Sequence, residues 1–247
     1  MAKGTKRPIR STRLPCPQNA ATDRQVGARN PNYGAVMSPD NLVVAAVDVG
    51  KLANIGWWRI AGTDACGGRD LDDLVAGLAA DLDEGRSVAL GFEAPLFIPN
   101  PTTVGGLGRQ RVGEAGRPWC AGAGTIALAF GVQQASYVVH RFAGMLERPI
   151  RAGVDAPGLL DGSLDLLIWE AFVSAGSKDR AATDPHISDA RAAAEEFERR
   201  ARTGGIRSDI ADTHVLNLAA AALIASGLVT DSALLTTPCV VIKSPQL

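Results

Sequence analysis

Two uninterrupted apolar runs constrain this chain more than any other feature. Leu42-Val43-Val44-Ala45-Ala46-Val47 leads into Asp48-Val49-Gly50, and Val88-Ala89-Leu90-Gly91-Phe92 leads into Glu93-Ala94-Pro95. Runs without polar alternation fit strands covered on both faces, as in a parallel or mixed sheet between helices. Ile55-Gly56-Trp57-Trp58-Arg59-Ile60 reads as a second strand, antiparallel to the first across a turn at 51–54, and 164–173 reads as another. The stretch 63–69 is Gly-rich and gives only a weak strand pattern. Leu71, Leu74, Val75, Leu78 and Leu82 recur at helical spacing and stop before Gly85. An apolar helix is expected over about 125–146. Asp184-Pro185 gives an N-cap and a first-turn proline, opening a helix to about Thr203. A last helix is expected over 208–226, and a short strand over 239–242. Strands alternating with helices predict an α/β fold with a mixed sheet flanked by helices.

Hydrophobic residues make up 46% of the chain and charged residues 21%, which excludes wholesale disorder. A net charge of −1 excludes a polycation that coats nucleic acid. The charge is uneven. Of 25 basic and 26 acidic residues, 1–40 hold seven and two, leaving 18 and 24 from 41 onwards. With five prolines and no periodicity, 1–40 reads as a flexible basic arm, suited to non-specific phosphate contact or simply to solvation. The four cysteines are scattered, without a CxxC pair or a Cys/His cluster. Neither a zinc site nor a disulfide framework is expected, and a reducing cytoplasm is. No apolar stretch approaches about 18 residues, and no signal peptide is visible, so no membrane association is expected.

Asp48 and Glu93 occupy matched positions, six residues into their strands. If those strands are parallel neighbours, the acids lie about 4.8 Å apart at the carboxyl edge, where open α/β sheets place ligands. Buried paired carboxylates repel unless a cation joins them. Oxygen ligands without a His/Cys cluster favour Mg²⁺ or Mn²⁺ over zinc. A third acid can come from Asp209 and Asp212 at the start of the last helix, or from Asp189, which lies three residues after His186 on the preceding helix. Glu170, on a further buried strand, reads better as the partner of an arginine. Between 105 and 124 lie Arg109, Arg111, Arg117 and Trp119 among seven glycines, just before a helix N-terminus. Such a loop can grip phosphate with backbone amides and arginines and stack a base on tryptophan, although mobile loops share the composition. His186 or His214 can carry a proton, or serve structure alone.

These features resemble the RNase H-like superfamily. Within it, the chain is most similar to a bacterial family of uncharacterised predicted RNase H-like nucleases. The likeness rests on Val47-Asp48-Val49-Gly50, Phe92-Glu93-Ala94-Pro95, Arg117-Pro118-Trp119-Cys120-Ala121-Gly122-Ala123-Gly124, Trp169-Glu170-Ala171-Phe172 and His186-Ile187-Ser188-Asp189-Ala190. With the closing apolar helix and strand it spans about 42–245. It implies one RNase H-like domain over 41–247, with the first and fourth strands adjacent. It also implies a two-metal carboxylate site that hydrolyses phosphodiester bonds in DNA or RNA. Asp48 and Glu93 then match the metal-binding acids, and Asp212 or Asp209 the acid of the last helix. The pattern departs at Thr213-His214, so Asp189 rivals them. A resolvase-like role would imply a homodimer. Two other readings stand beside this one. A non-catalytic binding protein can keep the fold. A nucleotide-binding protein of the actin-like ATPase branch shares Asp48-Val49-Gly50, but no second Asp-x-Gly follows a later strand.

Overall fold

A computed structural model describes residues 41–114, 116, 118–173 and 182–245. The basic arm read at 1–40, and Arg117, lie outside the described residues. The chain forms an α/β fold around a mixed seven-stranded sheet. At its centre are β1 (Leu42–Asp48) and β4 (Ser87–Phe92), paired in parallel. On one side β1 pairs antiparallel with β2 (Gly56–Ala61), and β2 with β3 (Asp64–Gly68). On the other side β4 pairs in parallel with β7 (Leu166–Phe172). The outer edge of β7 is shared by β6 (Ala152–Gly153) along one half and β9 (Val241–Lys243) along the other. A separate two-stranded ribbon joins β5 (Phe97–Pro99) to β8 (Val215–Asn217). The weakly patterned third strand is therefore present as β3, where glycines blur the alternation.

The helices are α1 (Leu71–Asp83), α2 (Gly122–Met145), α3 (Ala156–Leu160), α4 (Pro185–Arg202) and α5 (Leu218–Ala225). They cover both faces of the sheet, which explains the unbroken apolar runs. On one face Val43, Ala45, Val47, Val88 and Leu90 pack in one core with buried side chains of α1, α2 and α5. On the other, Leu42, Val44, Ala46, Ala89 and Trp169 pack with α3 and α4. Successive strand residues point to opposite faces, so the parity of a residue decides which helices it meets. Arg59 of β2 ties α1 down through a buried two-pronged contact to Asp81, at 2.8 and 2.5 Å.

The expected start of the last helix is corrected. The last helix does not begin at Ser208. Residues 208–214 form an irregular, bent segment instead, tied down by a single bridge from Ala211 to Val112 and by the Asp209 N–H donating to the Val241 carbonyl. Ile210 is buried in the first core. The helix starts after Asn217, whose side chain accepts from the Ala220 N–H and caps it. The helix before it, α4, is polar overall but packs against the sheet. Ala190, Ala193, Ala194 and Phe197 bury one stripe against the sheet. Cysteine usage also differs: Cys66 is disulfide-bonded, while Cys120 and Cys239 are free. Among the described residues no helix is long and apolar enough to cross a membrane.

Gly56 is what lets α4 approach so closely. A Cβ there would lie 2.4 Å from the His186 carbonyl carbon and 2.5 Å from the Ile187 nitrogen, both rigid backbone. Gly56→Ala should therefore cost about 1–3 kcal/mol in equilibrium urea denaturation. An unchanged midpoint would mean that α4 is not seated on β2 in this way.

Candidate metal centre

The site begins with register. Val47 pairs with Phe92 across the parallel ladder, and the Glu93 N–H donates to the Val47 carbonyl at 2.8 Å. The two strand-end acids, Asp48 and Glu93, thus become direct neighbours at the carboxyl edge. Asp48 shares parity with Val44 and Ala46, and Glu93 with Ala89. Both belong to the side of the sheet that α4 covers.

The start of α4 is fixed from two directions. Its N-cap Asp184 accepts from the His186 N–H at 3.1 Å and the Ile187 N–H at 3.3 Å. The same carboxylate is gripped by Arg69, just beyond β3, at 2.7 and 2.9 Å. Burial alone would raise the Asp184 pKa, but Arg69 and the cap amides outweigh it and hold the carboxyl below its usual range. From that anchor, His186 and Asp189 lie on the face that continues into the buried stripe of Ala190, Ala193 and Phe197. Nδ1 of His186 approaches Oδ2 of Asp48 to 2.5 Å.

Asp48, Glu93 and Asp189 each place a carboxylate oxygen within 4.8 Å of the other two. Asp48 and Asp189 are buried, at 7% and 4% exposure, and Glu93 is half-buried. Carboxylates held this close repel one another, and a divalent cation is one group that could relieve the repulsion. The all-oxygen donor set fits a hard cation such as Mg²⁺ or Mn²⁺ rather than zinc.

The remaining candidates lie elsewhere. Asp212 is not part of this cluster. It forms a two-pronged contact with Arg109 at 2.7 and 2.6 Å, which holds its carboxyl below the usual range. Asp209 accepts from the Lys243 N–H at 2.7 Å and pairs with Arg200 at 2.8 Å. Both sit on the irregular 208–214 segment, so neither occupies the helix start that would have aimed them at the site. Glu170 has the parity of Leu166 and Ile168 and meets the opposite face. There it takes Arg111 at 2.6 and 2.7 Å and the Leu96 N–H at 3.0 Å, the arginine-partner role expected of it.

Arg111 is 1% exposed and so cannot grip a phosphate. It is shared between Glu170 and Glu114, and it stacks on Phe97 at 4.6 Å. Burial opposes its charge, but the two carboxylates outweigh burial and raise its pKa. Trp119 is tied into the same loop: Nε1 donates to the Arg109 carbonyl at 2.9 Å and its N–H donates to Glu114 at 2.8 Å. The expected phosphate grip is thus, for these residues, a set of internal clasps. Sequence reading did not single out Gln134 of α2, whose Nε2 donates to the Gly50 carbonyl at 2.6 Å, two residues after Asp48. Its signal is a polar residue on the buried stripe of an apolar helix. Comparison with protein-family models, with curated proteins and with solved structures finds no match in any of the three.

Two outcomes follow from the clasps. Arg111→Met strands two buried carboxylates and should cost about 3–5 kcal/mol, measured by urea denaturation; adding Glu170→Gln and Glu114→Gln should restore part of the loss. Because the folded Asp212 pKa is depressed, its contribution is present above the unfolded carboxylate pKa of about 3.9 and disappears as pH falls through the folded value. Wild type should therefore exceed Arg109→Gln in stability at pH 7, with the gap closing below about pH 4. A gap that persists into strong acid would show that the ion pair is not its source.

Proposed function

We propose that this chain is a metal-dependent nuclease of the RNase H-like kind, with nucleic acid as its substrate. One observation carries the reading: three carboxylates from β1, β4 and α4 meet at the carboxyl edge of the sheet. The adjacency of the first and fourth strands supports it, since the resemblance implies that arrangement. Asp189 then takes the third-ligand role that the sequence left open among Asp212, Asp209 and Asp189.

In this reading Asp48, Glu93 and Asp189 hold Mg²⁺ or Mn²⁺. When bound, such a cation neutralises charge on a phosphodiester and makes water a better nucleophile. The chain's own residues provide the rest. The sheet fixes two of the acids and keeps their backbone from moving. His186 keeps Asp48 oriented through the Nδ1 contact. Lys51, exposed in the turn three residues after Asp48, brings a positive charge to the rim where a phosphate backbone would pass.

The test is cleavage of labelled single- and double-stranded DNA, RNA, RNA–DNA hybrid and a four-way junction in Mg²⁺ or Mn²⁺. Wild type is run beside Asp48→Asn, Glu93→Gln and Asp189→Asn. Loss of an outer partner in metal sites costs about 10–100-fold, so loss of a ligand should cost at least about 100-fold in rate. Asp212→Asn should cut at close to the wild-type rate. Absence of metal-dependent cutting, or equal cutting by the three variants, would overturn the proposal and favour a non-catalytic binding protein.

A further inference from the structure

Arg69 follows β3, and its guanidinium serves two separate segments. Nε and Nη2 form the two-pronged contact with Asp184, the N-cap of α4, at 2.7 and 2.9 Å. Nη1 donates instead to the Ala53 carbonyl at 2.5 Å. Ala53 lies in the turn Leu52–Asn54, just after Asp48. That turn is closed on itself, the Asn54 N–H donating to the Lys51 carbonyl at 2.6 Å. At the other end of the bridge, Asp184 caps the N–H groups of His186 and Ile187. His186 touches Asp48, and Asp189 follows within the first turns of the same helix. One side chain thus joins the chain just after Asp48 to the helix start just before Asp189. Two nitrogens are enough to pair with Asp184. The third goes to an uncharged carbonyl, so charge pairing does not account for it. A guanidinium can make such a bridge because its donors form a rigid, planar fork.

We infer that Arg69 is a positioning residue of the metal centre, which clamps the turn after Asp48 to the N-cap of α4 and so sets the spacing between Asp48 and Asp189. The inference rests on the metal reading given above. Glu93 needs no such clamp, because the β1–β4 ladder fixes it against Asp48. Asp189 comes from a different layer, and its helix start is where that layer is tied to the sheet. Mg²⁺ demands near-ideal octahedral geometry, whereas Ca²⁺ accepts a looser and larger shell. A clamp on ligand spacing therefore favours Mg²⁺ over Ca²⁺. Because the Arg69 side chain is half-exposed, at 42%, its ion pair contributes little to overall stability. The effect on the cation can then be read in a folded variant.

The test is calorimetric titration of the full chain with Mg²⁺ alone and with Ca²⁺ alone, for wild type, Arg69→Lys and Arg69→Gln. Lysine keeps the charge beside Asp184 but has no fork to span two segments. Both variants should unfold at close to the wild-type urea midpoint, and both should bind Mg²⁺ about 10–100-fold more weakly. Ca²⁺ affinity should fall less than Mg²⁺ affinity in each. If Arg69→Lys binds Mg²⁺ as wild type does, Arg69 merely neutralises Asp184 and the positioning role is overturned. Equal losses for the two cations, or a large drop in urea midpoint, would make Arg69 a general structural residue and overturn it as well. In those cases the metal centre stands. If wild type binds neither cation, the metal centre itself falls, and this role with it.

Discussion

The parallel register between β1 and β4 is the constraint on which the rest depends. Because both faces of the sheet are buried, a one-residue slip would turn every side chain of a strand to the wrong core. The slip is strongly disfavoured, and the same register makes neighbours of Asp48 and Glu93. The two acids cost stability where they stand, but they do not have to organise themselves. Val43 to Val47 and Val88 to Phe92, all fully or almost fully buried, do that for them. The site is a by-product of hydrophobic registration.

Alternation along the strands then separates two groups of buried charge. Glu170, also at a parallel strand's carboxyl half, faces the other side and is neutralised by Arg111. With Glu114 and the Leu96 N–H it pins the long loop between β5 and α2 onto β7. That assembly satisfies its members with hydrogen bonds and a cation supplied by the chain itself. The cluster of Asp48, Glu93 and Asp189 is built differently, from three acids with His186 as the basic side chain against Asp48. One group is a carboxylate–guanidinium assembly, and the other is a cluster of three carboxylates. The thickness of the sheet keeps the two apart.

Much of this was legible in the sequence, for reasons that differ between residues. Asp48 and Glu93 could be read because a lone acid at the end of an apolar run is conspicuous and period-two patterning needs no tertiary information. Glu170 could be read as an arginine partner, but not which arginine. The identity of the third acid was not legible. The average polarity of α4 hid a narrow stripe of His186, Asp189, Ala190, Ala193 and Phe197, and nothing local says which helix covers which face. The region 208–226 misled because its apolar residues satisfy helical spacing, while Asn217 is the residue that caps the helix. The preceding segment is committed to Val112, Val241 and β5. Arg111 looked like its loop neighbours because burial of a guanidinium is decided by carboxylates distant in sequence.

The small residues complete the argument. An aspartate reaches only one carbon beyond its Cα substituent, so Asp48 and Asp189 can meet only if the backbones of β1 and α4 come close. Gly56, register partner of Asp48, lies under the first turn of α4 and removes the side chain that would hold it off. Ala190, Ala193 and Ala194 continue the close contact down the helix. On the opposite side Gly131 does the same for α2 against Ala94, bringing Gln134 within reach of Gly50. Each glycine weakens its own strand or helix in isolation, and each lies where a helix must approach the edge that carries an acid. At both positions the close approach of a helix to the sheet leaves no room for a Cβ.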